Sequence, residues 1–204
     1  MQTITRAEAY EQFPLLPSFS YDEPSDTDLV SFPDPVRTEI LEISAAHSAE
    51  DRFAQLAAVL TTLTQQVGAE ALLFMGASET PWRYQPNPFE PAKAADAFLK
   101  ARQLSKTFNG GVLLQRSELP QWVPQLLWLI VSNASFPELY FIDPDQQLLG
   151  TFCRYGNLHL YLLQATADEP FNRWLRTEPV RLITDTGCSD QGDGVQSGRQ
   201  TVVD

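Results

Sequence analysis

"ELYFIDPDQQLLGTFCRYGNLHLYLL", residues 138–163, decides the fold, because it reads as three strands and two turns. "ELYFI", "LLGTFC" and "LHLYLL" are apolar runs of strand length, and "DPDQQ" and "RYGN" between them are good turn sequences. In the last run Leu158, Leu160 and Leu162 point to one face, and His159, Tyr161 and Leu163 to the other. The stretch also holds Cys153 and His159, which raises the question of a reactive pair. Across a simple turn over residues 154–157, Cys153 pairs with Leu158, and His159 faces away. A Cys–His nucleophile needs an accessible thiol of low pKa and an orienting third group, and the sequence supplies neither. A cysteine on an apolar strand is a small hydrophobe first. Both residues are therefore expected to be structural.

Upstream of this meander the chain alternates helix and strand. Asp34 is placed to cap a helix with Pro35 at its first position and Val36, Ile40 and Ile43 as its stripe, ending near His47. Ser48 opens a second helix, with Asp51 as a capping-box variant. Phe53, Leu56, Ala57, Leu60, Leu63 and Val67 form its apolar face, and Gly68 stops it. "ALLFMG" (71–76) and "GVLLQ" (111–115) are short buried strands. Residues 90–108 read as a helix closed by Asn109-Gly110-Gly111, and residues 117–135 as another despite Pro120 and Pro124. A strand at "LLWLIV" (126–131) is the alternative there. Downstream, a helix at 168–176 and a strand at 180–184 complete the pattern. The expected fold is α/β or α+β: a mixed sheet of about five to six strands, built from three helix–strand units and an antiparallel meander and covered by helices.

Two terminal segments differ in composition from this middle. Residues 11–35 contain five prolines, interleaved aromatics and a run of acids, which reads as an extended arm. Residues 1–33 are accordingly taken as a Pro-rich acidic arm, 34–186 as one globular domain, and 187–204 as a disordered tail. The arm's apolar side chains either wrap its own domain or dock on another protein. Phe13, Phe19, Tyr21 and Phe32 are the candidate contacts.

The net charge of −12 is concentrated in these segments, with −6 in residues 1–35 and −3 in residues 185–204. The nearly balanced middle argues against a nucleic-acid mimic, and the lack of a basic stripe argues against nucleic-acid binding. No apolar run reaches the ~18 residues that span a bilayer, and no signal peptide is recognisable. Two cysteines make a poor disulfide framework, so a cytoplasmic protein with reduced thiols is expected, and Asn133-Ala134-Ser135 carries no glycosylation meaning.

Chemical motifs are few. With two histidines and two cysteines there is no zinc-ligand spacing, and "DPDQQLLG" (143–150) lacks the periodic ligands of a calcium loop. No metal and no cofactor is expected, and no catalytic residue is assigned. "DTG" (185–187) resembles the active-site triplet of retroviral-type aspartic proteases, but only 17 residues follow it where that family needs a long β-rich continuation. It reads as the turn closing the last strand. "GASETPW" (76–82) follows a buried strand, where ligands of open α/β sheets gather. Ser78, Glu79 and Thr80 offer polar groups, and Trp82 and Tyr84 aromatic walls, so these five are the candidate small-ligand site. Residues 53–76 look like the opening helix and first strand of GAF-type sensory domains, and residues 174–186 resemble a later segment of them. The resemblance implies a small-molecule sensing module, and no site residue is carried over from it.

Three functions follow as expectations. The first is a non-catalytic cytoplasmic protein-binding module, such as an adaptor, an assembly factor or a bacterial immunity-type protein. It would use the acidic terminal segments and one sheet face, and its partner is another protein. The second is a small-ligand sensor with its pocket near 78–84. The third is an enzyme without recognisable motifs, drawing on Cys153, His159, Glu79 or Asp143. A homodimer through the aromatic strands of 138–163, acting as a sheet edge, is compatible with all three.

Overall fold

The computed structural model describes residues 1–22, 27–43 and 46–183, with the side chains of residues 20–30 left aside. The strands are β1 (Gln2–Ile4), β2 (Ser18–Asp22), β3 (Thr27–Ser31), β4 (Arg37–Ile43), β5 (Ala71–Gly76), β6 (Gly111–Gln115), β7 (Leu139–Ile142), β8 (Leu148–Phe152), β9 (Leu158–Leu162) and β10 (Val180–Leu182). The helices are α1 (Arg6–Gln12), α2 (Ala49–Gln66), α3 (Glu90–Ala101), α4 (Leu119–Ser132) and α5 (Asp168–Leu175). The "DTG" turn, Cys188 and the expected disordered tail lie outside the described residues.

The architecture is α+β. Eight strands form one sheet in the order β1-β6-β5-β7-β8-β9-β4-β10, and β2 and β3 form a separate hairpin. Every neighbouring pair is antiparallel, which corrects both the mixed sheet and its expected five to six strands. The reason lies in which strands the helices connect. β6 and β7 are joined through α4 and run the same way, but β5 lies between them and runs against both. β4 and β5, joined through α2, also run the same way and are separated by the whole meander. Helix–strand alternation thus survives without one parallel contact.

The meander occupies the middle of the sheet, flanked by β5 and β4, so it is not an edge through which a dimer could pair. The edges are β1 and β10, of three residues each.

The segment expected as the first helix is β4. Val36 is 56% exposed, so the supposed helical stripe does not form. Leu41 and Ile43 are instead buried on one face of a strand paired with β9, Arg37 opposite Leu162 and Leu41 opposite Leu158. On that face Arg37 pairs with Glu39 at 2.7 Å, and it bonds Asp168 and Asn172 of α5. Tertiary pairing overrides a local spacing that fits either periodicity.

The long helix α2 matches its expected span. Ser48 Oγ accepts from Asp51 N at 3.1 Å, and Gly68 takes the left-handed conformation after the last turn. The helix expected over 90–108 stops at Ala101, and the chain returns irregularly to β6 past Gln103, which has φ 64°. α4 is a helix through both prolines, with Pro120 in its first turn and Pro124 further in.

The two faces of the sheet bury different clusters. Helices α2, α3, α4 and α5 cover Leu41, Leu72, Phe74, Leu114, Phe141 and Leu160 among others. The other face (Leu73, Met75, Tyr140, Ile142, Leu149) is covered by Ile4, Ala9, Phe13 and Leu16 of the N-terminal segment. That segment is therefore not simply extended. Thr5 and Glu8 form a capping box that starts α1, with Thr5 N donating to Glu8 Oε2 at 2.7 Å, and the hairpin β2–β3 follows. Gly150 is required on the helix side: a Cβ there would lie 2.3 Å from Phe141 Cζ.

Candidate functional site

One end of the sheet collects the loops that leave β5 and β8 and those that enter β6, β7 and β9. The sequence-derived ligand residues fall here. The Arg6 guanidinium donates to the carbonyl oxygens of Gly76, Ala77 and Ser78 at 2.7, 2.7 and 3.0 Å, and to the Tyr10 hydroxyl at 2.9 Å. A cation from the N-terminal helix thus fixes the exit of β5. Beyond it, Ser78 and Glu79 are exposed and Thr80 is half-buried; the Glu79 carbonyl accepts from Asn109 Nδ2 at 3.2 Å.

Trp82 and Tyr84 do not share an environment. Trp82 is 1% exposed, set edge-on to Phe108 and Phe136 with ring centroids 5.5 and 6.2 Å away. Its indole Nε1–H is buried with no acceptor among the described residues. Tyr84 is 61% exposed. Between them Arg83 bonds Asp96 through two nitrogens, at 2.6 and 3.0 Å, and the Leu104 carbonyl at 2.9 Å.

The arm residues pack on their own sheet. Phe13 is buried, and Phe19 and Phe32 are half-buried against Tyr140, with Phe32 also edge-on to Tyr161 at 4.7 Å. The side chain of Tyr21 lies outside the described residues.

The Cys153–His159 region differs from the expected hairpin by one residue. Phe152 lies opposite Leu158 and Thr151 opposite His159, and Cys153 N donates to the Asn157 carbonyl at 3.0 Å. The loop therefore has three residues, closed by Gly156 N bonding to the Cys153 carbonyl at 2.9 Å. Gly156 has φ 76°, the left-handed position that this loop type assigns to glycine. Cys153 therefore stands opposite Asn157 rather than Leu158. His159 is on the arm-covered face opposite Thr151, with its Nε2 buried and without a bond among the described residues. Burial holds its pKa below the usual imidazole value.

Asp143, also weighed for chemistry, organises a turn. It is fully buried, and its carboxylate accepts from the backbone N–H groups of Asp145, Gln147 and Leu148 at 3.1, 2.9 and 2.7 Å. Burial raises its pKa against the opposing pull of those donors. Among the described residues no three potential metal ligands converge, and no helix is long and apolar enough to cross a membrane.

A surface not foreseen from the sequence lies at the same end. Phe89, 39% exposed, sits edge-on to Trp128 at 5.8 Å, and Trp128 sits edge-on to Phe53 at 4.8 Å. Phe53 in turn lies against the Gly156 turn, where Tyr155 is 36% exposed. The row is held by backbone anchors: Asn87 Nδ2 donates to the Ser132 carbonyl at 2.6 Å, and Asn133 Nδ2 to the Gln85 carbonyl at 3.2 Å. Arg52 reaches the Tyr155 carbonyl at 3.4 Å, and Arg154 lies over the Tyr155 ring at 5.3 Å. Neither arginine has a carboxylate within ion-pair distance among the described residues. Sequence reading missed this row because its members look ordinary locally. Trp128 reads as core, Tyr155 as a turn residue and Phe89 as loop, and only the fold aligns them.

No family model, curated protein or solved structure matches the chain. The two stretches that resemble GAF-type domains form α2 with β5, and the end of α5 with β10.

Proposed function

We propose that the protein is a non-catalytic cytoplasmic protein-binding module of the adaptor, assembly-factor or immunity type. The observation that carries this reading is the surface of exposed Phe89, half-buried Trp128 and exposed Tyr155, with Arg52 and Arg154 beside it lacking an acidic partner among the described residues. Exposed aromatics and arginine are the side chains that dominate protein–protein binding energy. Phe13, Phe19 and Phe32 of the acidic arm pack on their own sheet. The binding surface is therefore assigned to the loop end. The test is capture of the tagged protein from its own cell extract, followed by native mass spectrometry. A stoichiometric protein should accompany the unaltered chain and be lost from the Phe89→Ser/Tyr155→Ser variant at unchanged melting temperature. A partner retained by that variant would refute the assignment.

A second reading, a small-ligand sensor at 78–84, is favoured by the unpaired indole N–H of Trp82. It requires a metabolite that raises the melting temperature of the unaltered chain and not of Trp82→Phe. A panel with no such compound would remove it.

A further inference from the structure

Resting on the protein-binding reading, we infer that the partner segment held by the aromatic row is acidic, with carboxylates beside aromatic or leucine side chains. The surface is apolar at both ends: exposed Phe89 meets half-buried Trp128 at one, and exposed Tyr155 stands at the other, with buried Phe53 beneath, between Trp128 and the Gly156 turn. At the Tyr155 end stand two cations with no acidic partner among the described residues. Arg154 is exposed, and Arg52 is half-buried and spends one nitrogen on a carbonyl 3.4 Å away. The neighbouring Asp51 forms no ion pair with either arginine, and its carboxylate accepts from His47 N at 3.0 Å and from Gln55 Nε2 at 2.9 Å. A guanidinium over an aromatic ring keeps its outer donors for a planar anion, and the fork geometry of arginine matches a carboxylate. A basic segment would meet like charge at the Tyr155 end, and a purely apolar one would leave both arginines half-desolvated without a partner.

The same surface offers its own reporter. Trp82, Trp122 and Trp174 are buried, so of the four tryptophans Trp128 is the one whose emission a docked peptide should change. The full chain is titrated with a capped decapeptide of alternating Asp/Glu and Phe/Leu, with its Asn/Gln counterpart and with its Lys counterpart. The acidic peptide is expected to shift the emission and to bind about tenfold or more tightly than the amide peptide, with an affinity that falls as salt rises. Arg52→Gln/Arg154→Gln should reduce it to the level of the amide peptide without altering the melting temperature. Equal binding of acidic and amide peptides, no binding of the acidic one, or undiminished binding by the double arginine variant would overturn the inference. Capture from extract separates the two claims. A partner lost with Phe89→Ser/Tyr155→Ser but kept by the arginine variant leaves the protein-binding function standing and removes the acidic segment. A partner kept by both variants removes the surface itself.

Discussion

The two faces of the sheet are closed by different means. On one, four helices lie over strand residues that are almost all leucine or phenylalanine, and Leu41, Leu72, Leu114, Phe141 and Leu160 are at most 1% exposed. On the other, a seven-residue helix, a three-residue strand and the base of a hairpin cover a smaller set of side chains. That second face also carries the polar-tipped residues of the meander. Tyr140 and Tyr161 meet the rings of Phe19 and Phe32, the Tyr140 hydroxyl reaches Glu138 at 3.3 Å, and His159 stands opposite Thr151. Burial raises the pKa of both tyrosine hydroxyls and lowers that of the imidazole. The helix side builds the core, while the arm side seals it with groups that respond to solvent.

The sharpest way to break this contrast is to remove the seal. Deleting residues 1–33 takes β1 from β6 and uncovers Leu73, Met75, Ile142 and Leu149. Loss of the near-UV circular dichroism signal and of a cooperative thermal transition is expected. A truncated chain that melts like the intact one would make the arm a dispensable cover.

The two faces should also respond differently to single substitutions. Leu160→Ala on the helix side should cost about 2–5 kcal/mol in urea unfolding, because a cavity stays behind in a packed layer. Phe32→Ala on the arm side removes a half-buried ring and should cost on the order of 1 kcal/mol. Equal losses would erase the distinction. Gly150→Ala adds one methyl on the helix side, 2.3 Å from the Phe141 ring. A destabilisation of about 1–3 kcal/mol is expected from overpacking, and partial recovery when Phe141 is shortened to Leu would locate the clash.

The smallest effect concerns pH. Because burial holds His159 below its ordinary value of 6.5, the unfolded chain takes up the proton first as pH falls. The stability due to neutral His159 is present above pH ~6.5 and is lost as pH drops through the lower folded value. The slope should be a fraction of the ~1.4 kcal/mol per pH unit that a full proton gives. In His159→Gln this part of the slope should vanish, and an unchanged acid slope would place the cause elsewhere.

Much of the sheet was legible because its strands are short apolar runs between strong turn signals, and α2 because its stripe and both ends agree. β4 was not, since Val36, Ile40 and Ile43 fit helical spacing and only the distant β9 selects the other periodicity. The second layer was half legible. "ALLFMG" is apolar at every position except its closing glycine, as a strand covered on both sides must be, but no local pattern says that residues 4–16 provide the cover. Of the candidate ligand residues, exposure separated Trp82 from Tyr84, and exposure is a property of the finished fold. The aromatic row was illegible for the same reason, since its members are scattered from Phe53 to Tyr155.

The position of β4 has a consequence in time. Both its sheet neighbours, β9 and β10, are made long after it, the nearer beginning 115 residues past Ile43. At ribosomal speeds of ~5–20 residues per second this strand waits roughly 6–23 s for its first partner. Its own composition suits the wait. Arg37, Glu39 and Glu42 interrupt the apolar residues and discourage premature pairing.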